Sequence, residues 1–152
     1  MPPLTHASPI ALKDCHLAKT IEVIGDRWTL LILRSAMFGV RRFDDFQTEL
    51  NIPRTVLSGR LKRLCVAELI EKKTYKQPGK RTRPEYILTQ KGQTLQPALI
   101  ALTQWGDEWL APQAIPPISF THAGTRKTVR AGFVDTDGRV VDPDDMRISL
   151  RR

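Results

Sequence analysis

The sequence has few of the residues from which metal and catalytic sites are built. Of its 152 residues only two are cysteine, Cys15 and Cys65, and only three are histidine, His6, His16 and His122. Two cysteines exclude a disulfide-stapled secreted scaffold and a four-cysteine zinc site. The histidines fall in an arm, at a helix start and in a tail, at no metal-ligand spacing, so no metal is expected. No glycine-rich phosphate loop and no nucleophile elbow occurs, which leaves catalysis without a candidate residue and calls for no cofactor. Apolar runs are short, as in Leu30-Leu31-Ile32-Leu33, against the roughly 20 residues of a membrane helix. Met1-Pro2-Pro3-Leu4-Thr5-His6 shows no basic start leading into an apolar stretch. A cytoplasmic chain with no membrane partner is therefore expected.

Acidic residues are also in short supply. Sixteen Asp and Glu face 24 Lys and Arg, a net charge of +8. The excess is local. Residues 41–88 hold twelve basic and six acidic groups, a net +6. Between 70 and 84, Lys72, Lys73, Lys76, Lys80, Arg81 and Arg83 face the single acid Glu71. Such an excess favours a polyanionic partner, most often nucleic acid. A solvated loop is the plainer account of the run taken alone. Composition is otherwise that of an ordinary domain, 41% hydrophobic and 26% charged, so wholesale disorder is not expected.

Residues 1–13 read as an extended, proline-containing arm. Asp14 is a helix-capping residue type, and Leu17, Ala18, Ile21 and Ile24 follow at helical spacing until Gly25. Asp26 suits the cap of a second helix, whose apolar body, Trp28 to Leu33 with Ala36 and Met37, predicts burial on nearly every side. Gly39 stops it. A short helix is predicted from Phe43 to Leu50, a tight turn at Asn51-Ile52-Pro53, and a fourth helix from about Pro53 to Glu68 carrying Leu57, Leu61 and Leu64. The period then changes to that of a strand over 70–76, a turn at 77–80 and a returning strand over 83–88. Pro84 implies a sheet edge or strand start. Thr89 suits the cap of a long helix from Gln90 to about Leu110, in which Gly92 costs about 1 kcal/mol against Ala. Pro97 should kink that helix unless it begins later. Residues 111–117 read as a linker. A hairpin is predicted from 128–134 and 139–141 around Asp135-Thr136-Asp137-Gly138.

A short helix, a turn and a second amphipathic helix make a helix-turn-helix unit. With Leu57, Leu61 and Leu64 inward, the opposite side presents Thr55, Gly59 and Lys62, flanked by Ser58 and Arg63, with Arg54 at the N-terminal rim. No acid occurs on this helix before Glu68. A helix in a DNA major groove needs polar tips for base edges and cannot set carboxylates against phosphates. Gly59 would let the backbone approach closely. The basic hairpin that follows would place Lys76, Lys80, Arg81 and Arg83 on phosphates, which position a protein but read no sequence.

These residues resemble a known family. Asp14-Cys15-His16-Leu17-Ala18, continued by Ile24-Gly25-Asp26-Arg27-Trp28 to Arg34, is similar to the N-terminal signature of HxlR-type winged helix-turn-helix transcriptional regulators. Arg41-Arg42-Phe43-Asp44-Asp45-Phe46 resembles the start of their first DNA-binding helix, Leu57 to Leu64 their recognition helix, and Glu85 to Gly92 their return strand and final-helix start. The resemblance spans about residues 14–110. It implies a mainly α fold with a small β-hairpin wing (α+β). It divides the chain into an arm (1–13), a winged helix-turn-helix DNA-binding and dimerisation domain (14–110), a linker (111–117) and a C-terminal β-rich appendage (118–152).

The resemblance further implies a homodimer on an inverted repeat of double-stranded DNA, joined through its first and last helices, commonly as a repressor. Arg41 and Arg42 would then touch the DNA backbone. Leu17, Ile21, Leu99, Leu102, Trp105 and Trp109 would line the dimer interface, although both Trp could instead cover their own core. Some relatives sense oxidants or electrophiles through a cysteine at the position of Cys15. A thiol at a helix N-terminus is favoured as thiolate by the helix dipole, whereas a packed apolar Cys is the alternative. Cys65, beside the Leu64 stripe, reads as packed. A small-molecule effector is a second option that no residue specifies. Many relatives carry paired cysteines in the tail, and their lack here makes a closed zinc site doubtful. A winged helix binding protein would need an apolar or acidic face. An RNA-binding module would favour exposed aromatics, yet the basic region has only Tyr75 and Tyr86 beyond the Phe residues on the helix stripe.

Overall fold

A glycine ends the first helix and a side-chain cap starts the second. The computed structural model describes residues 10–75, 78–79 and 81–149. Helix α1 spans His16–Ile24 and ends at Gly25. A 3-10 turn over Leu12–Asp14 precedes it, closed by the Cys15 N–H donating to the Leu12 carbonyl at 3.1 Å. Asp14 is thus inside that turn and does not cap α1; Cys15 holds the cap position, with no side-chain hydrogen bond to the helix. Helix α2 spans Arg27–Met37, and Asp26 caps it as expected, accepting from the Thr29 N–H at 3.2 Å and the Thr29 hydroxyl at 2.5 Å. At its far end Gly39 takes φ +91°, letting the Gly39 and Val40 N–H groups close on the Ala36 and Ser35 carbonyls. Helix α2 buries Thr29, Ile32, Leu33 and Ser35, while Leu30 and Leu31 are only half-buried and Arg34 is exposed. Burial on nearly every side is therefore not realised, although α3, α4 and β2 all pack against α2.

Helix α3, Phe43–Leu50, drops Phe46 into the core and ends at Asn51, whose φ of 49° turns the chain left-handed. Ile52 plugs the turn, and helix α4, Arg54–Val66, begins after Pro53. Leu57, Leu61 and Leu64 are each at most 1% exposed. The end of α4 repeats the closure of α2, with the Glu68 N–H on the Cys65 carbonyl and the Leu69 N–H on the Leu64 carbonyl, both 3.0 Å. Here the left-handed residue is Glu68, at φ +58°. The buried Leu64 and Leu69 flank it.

Strands β1, Ile70–Tyr75, and β2, Arg83–Leu88, form an antiparallel wing in register from Ile70 opposite Leu88 to Tyr75 opposite Arg83. Pro84 is the second residue of β2. Arg42 bridges Glu85, and the Tyr86 N–H donates to the Arg41 carbonyl at 2.7 Å. The segment leading into α3 thereby lines the other edge of β2. Ile32, Leu33, Phe46, Ile52, the three α4 leucines, Leu69 and Ile70 make the core. Each such burial is worth about 1.5–3 kcal/mol.

The predicted long helix is two helices. Thr89 caps α5, Gln90–Gln93, by accepting from the Gly92 N–H at 3.0 Å. Helix α6, Gln96–Trp109, starts afresh with Pro97 as its second residue. There a missing N–H costs nothing, so Pro97 begins a helix and kinks none. Gly92 is buried and required, because a Cβ there would run into the Leu69 carbonyl.

The chain forms two compact units, dividing between Leu95 and Gln96. Sequence pattern instead kept 14–110 together and put a linker at 111–117. Helix α6 lies with the C-terminal segment because the Gln104 amide is bonded to it, donating to the Val129 carbonyl at 2.9 Å and accepting from the Ala131 N–H at 2.8 Å. The strand predicted over 128–134 is shorter in the structure. Only Phe133–Val134 (β3) pairs with Val140–Val141 (β4), while Thr128 bridges Thr121. The Asp135–Gly138 turn forms as expected, with Gly138 at φ +80°. The fold is mainly α-helical with two small antiparallel hairpins, a winged helix-turn-helix with a C-terminal hairpin appendage.

Candidate nucleic-acid interface

The three buried leucines fix which side of α4 looks out. Arg54, Thr55, Ser58, Gly59, Lys62 and Arg63 are all exposed. Apart from its chain neighbours and the backbone of α4 itself, no heavy atom of the described residues lies within 4 Å of where a Gly59 Cβ would stand. No carboxylate occurs between Arg54 and Ala67, so this side is polar, small and basic along its length.

Two arginines bind α4 to the corner between α1 and α2. Arg60, which periodicity assigned no role, donates through Nε to Asp26 Oδ1 at 2.8 Å, and both side chains are about 30% exposed (29% and 31%). Partial burial pushes the Asp26 carboxyl up, but it is outweighed. The hydrogen bonds from the Thr29 hydroxyl, Arg60 and the Thr29 N–H, with the Arg60 charge, hold it below the ordinary value. Arg63 donates from Nη2 to the Glu22 carbonyl at 3.0 Å, covering one of the carbonyls that the end of α1 leaves unpaired. Arg63, assigned by sequence to the groove face, is thus also a tie to α1. The one hint of Arg60 in the sequence is its place beside Leu61, on the flank of the apolar stripe, where an arginine needs an acid from elsewhere.

A cleft of about 490 Å³ lies beside the N-terminal end of α4. Arg42, Arg54, Arg81 and Arg83 line it together with Asp44 and Asp45. The Arg54 guanidinium stacks 4.9 Å from the Phe43 ring centre, which orients a planar group without consuming its donors. Arg42 lies 4.0 Å from the half-buried Glu85, and Arg83 lies 4.0 Å from the exposed Asp44, both long pairs. Such pairs contribute little and exchange readily. Arg41 is exposed outside this cleft. On the wing, Arg81 and Arg83 are exposed and Lys72 sits 5.9 Å from the Tyr86 ring centre. Lys76 and Lys80, both assigned to phosphate contact, lie outside the described residues.

The remaining candidates lie on other elements or on other faces of their own helices. Cys15 and Cys65 are both free thiols and half-buried. Burial pushes the Cys65 thiol up, with the Lys72 charge opposing it. On α1, Leu17 and Ile21 are 66% and 54% exposed; on α6, Leu102, Trp105 and Trp109 are 57%, 55% and 65% exposed, and Leu99 is half-buried. The His122 Nδ1 accepts from the Gly124 and Thr125 N–H groups, both at 3.1 Å. Among the described residues no group of His, Cys, Asp and Glu could hold a metal, and no helix is long and apolar enough to cross a membrane.

Comparison with known proteins bears on the same stretch. A profile for the HxlR-like helix-turn-helix matches residues 23–114. Rv3095 of Mycobacterium tuberculosis, an uncharacterized HTH-type transcriptional regulator, is 44% identical over 106 residues, 70% of this chain and 66% of its own length. The match thus spans just under two thirds of that relative. The crystal structure of PA1607, a candidate transcription factor, superposes with a TM-score of 0.76 at 30% identity, over 90% of this chain and 95% of that one. HypR in its oxidized form, a redox regulator, superposes with a TM-score of 0.57 at 27% identity, over 62% of this chain and 96% of its own. With the profile covering well over half of its residues, the chain belongs to the HxlR-like helix-turn-helix family.

Proposed function

We propose that this protein is a transcriptional regulator, most simply a repressor, that binds an inverted-repeat operator in double-stranded DNA as a homodimer. Its family is one of regulators and not of enzymes. The observation that carries the reading is the exposed, carboxylate-free side of α4. A major groove about 12 Å wide admits one helix, and only a face without acids can lie between two phosphate strands. In this reading Thr55, Ser58, Gly59 and Lys62 meet base edges. Arg41, Arg42, Arg54, Arg63, Arg81 and Arg83, with Lys76 and Lys80, hold the backbone.

Dimerisation through α1 and α6 accounts for the exposed Leu17, Ile21, Leu102, Trp105 and Trp109, joined by Leu99. Large apolar side chains left in water on two helices are typical of interfaces. Two copies would set two α4 helices about 34 Å apart, one turn of DNA, or a multiple of it. Oxidant sensing through Cys15 is supported by its half-exposed thiol at the cap of α1 and by the redox regulation of HypR.

Selection of bound duplexes from a random pool, run with and without diamide, tests the whole reading. An enriched dyad-symmetric sequence is expected, with Ser58→Ala or Lys62→Ala weakening it by about 1–3 kcal/mol where the side chain meets a base. Binding that prefers single strands, or no enriched sequence, would overturn the operator. Diamide should lower binding by the wild type and leave Cys15→Ser unaffected; an equal response by both removes Cys15 as the sensor.

A further inference from the structure

The C-terminal unit, Gln96–Arg152, has no core of its own. None of residues 96–149 is buried, and every core side chain among the described residues lies in the first unit. What shapes the C-terminal unit is polar. The Gln104 amide joins α6 to Val129 and Ala131, the Val129 N–H donates to the Phe120 carbonyl at 2.7 Å, and Thr121 bridges Thr128. Such bonds replace bonds to water and gain little by themselves. Strands β3 and β4 are two residues long, and a two-stranded hairpin alone is marginal in water.

The unit has the apolar side chains for a core but leaves them in water. Eleven large ones are between 42% and 94% exposed. At roughly 100 Å² each they present on the order of 1,000 Å², against the about 800 Å² that each partner gives to a standard interface. They are not confined to α6. Val134 and Val140 stand opposite each other in the hairpin and so share one side of it, at 65% and 85% exposure. Ile115 and Ile148, before and after the hairpin, are 93% and 94% exposed. Charge points the same way. Residues 1–95 carry the chain's whole net charge of +8, while residues 96–152 hold seven basic and seven acidic groups. A neutral unit has little to draw it to a polyanion and nothing to keep two copies apart.

We infer that residues 111–149 of one copy pack against a second copy of this chain, whose apolar surface supplies the core that the unit lacks. The inference rests on the proposed homodimer and enlarges it. To α1 and α6 it adds the hairpin appendage, as a contact surface that is held firmly only in the dimer. Two identical copies meeting about a two-fold axis each give and receive the same cover. Ile115, Val134, Val140 and Ile148 carry the contact.

Sedimentation of the full chain without DNA gives its dimer dissociation constant, and hydrogen–deuterium exchange is then read well above and well below that concentration. The amides of 128–141 should exchange at least about tenfold faster in the monomer, with those of α2 and α4 unchanged. Where dilution does not split the dimer, Trp105→Asp supplies the monomer. Val140→Asp and Ile148→Asp alter side chains that a single copy leaves exposed. Protection of α2 and α4 should therefore hold in both, while the dimer dissociation constant should rise at least about tenfold in each. The inference is overturned if exchange over 128–141 is the same in monomer and dimer, or if either variant associates as the wild type does. If Trp105→Asp splits a dimer that Val140→Asp and Ile148→Asp leave intact, the α6 interface stands and the appendage has no part in it. A wild type that stays monomeric overturns the inference and the homodimer together.

Discussion

Alanine in place of either of two helical glycines should have opposite effects, for a reason visible only in three dimensions. Gly59 in α4 and Gly92 in α5 each lower helix propensity by about 1 kcal/mol relative to Ala. At Gly59 nothing among the described residues outside its neighbours and the α4 backbone stands within 4 Å of an added methyl. Gly59→Ala should therefore stabilise the fold by about 0.5–1 kcal/mol. At Gly92 the methyl would overlap the Leu69 carbonyl oxygen and lie 3.0 Å from Leu88 Cδ2. The carbonyl cannot yield cheaply, because it accepts from the Thr89 N–H at 3.1 Å and the Thr89 hydroxyl at 3.3 Å. Relief means moving α5 off the base of the wing, at a packing cost of about 1–3 kcal/mol and about 1 kcal/mol for a lengthened hydrogen bond. Set against the propensity gain, Gly92→Ala should destabilise by about 1–3 kcal/mol. Urea unfolding followed by far-UV circular dichroism gives both values from the midpoint shift at constant slope. A Gly92→Ala midpoint equal to or above wild type would refute the close approach. Gly59→Ala carries a second readout, since its methyl stands on the proposed groove face. It should lower operator affinity while raising stability, and an unchanged affinity would remove Gly59 from the contact.

Glu68→Gly should stabilise by about 1 kcal/mol, because Glu68 alone among the α2 and α4 closures holds a left-handed φ without being glycine; a lower urea midpoint would show that its side chain compensates. Asp26 is held below its ordinary pKa, so its share of stability is full above the unfolded-state value of about 3.9 and fades as pH falls through the lower folded value. Asp26→Asn should therefore flatten the acid limb of stability against pH, and an unaltered limb would free Asp26 of that role. Arg83→Ala should weaken all DNA sequences alike and reduce the salt slope by about one; a changed sequence preference would make Arg83 a reader of bases.

Signals carried within a few residues were legible in the sequence. The caps Asp26 and Thr89, the stops Gly25 and Gly39, the turn at 51–53 and the inward leucines at 57, 61 and 64 lie where pattern put them. What pattern missed depends on partners far along the chain. Arg60 finds Asp26 34 residues away, Gly92 meets Leu69, and Gln104 bonds Val129 and Ala131. Asp14 failed for a local reason: a 3-10 turn competed for the same residues. Periodicity orders side chains around one element and says nothing of the backbone atoms that another element brings against it.

The arginines of α4 show how far a single face can be asked to serve two purposes. Arg60 is spent on Asp26, which also caps α2, so the bond fixes α4 to the start of its neighbour. Arg63 gives one N–H to the last turn of α1 and remains exposed. A guanidinium has five donors in a fixed plane, so the Glu22 carbonyl leaves others for a phosphate. Any displacement of α1 moves the atom that orients Arg63. The same α1 carries Leu17 and Ile21 on its surface and Cys15 at its cap.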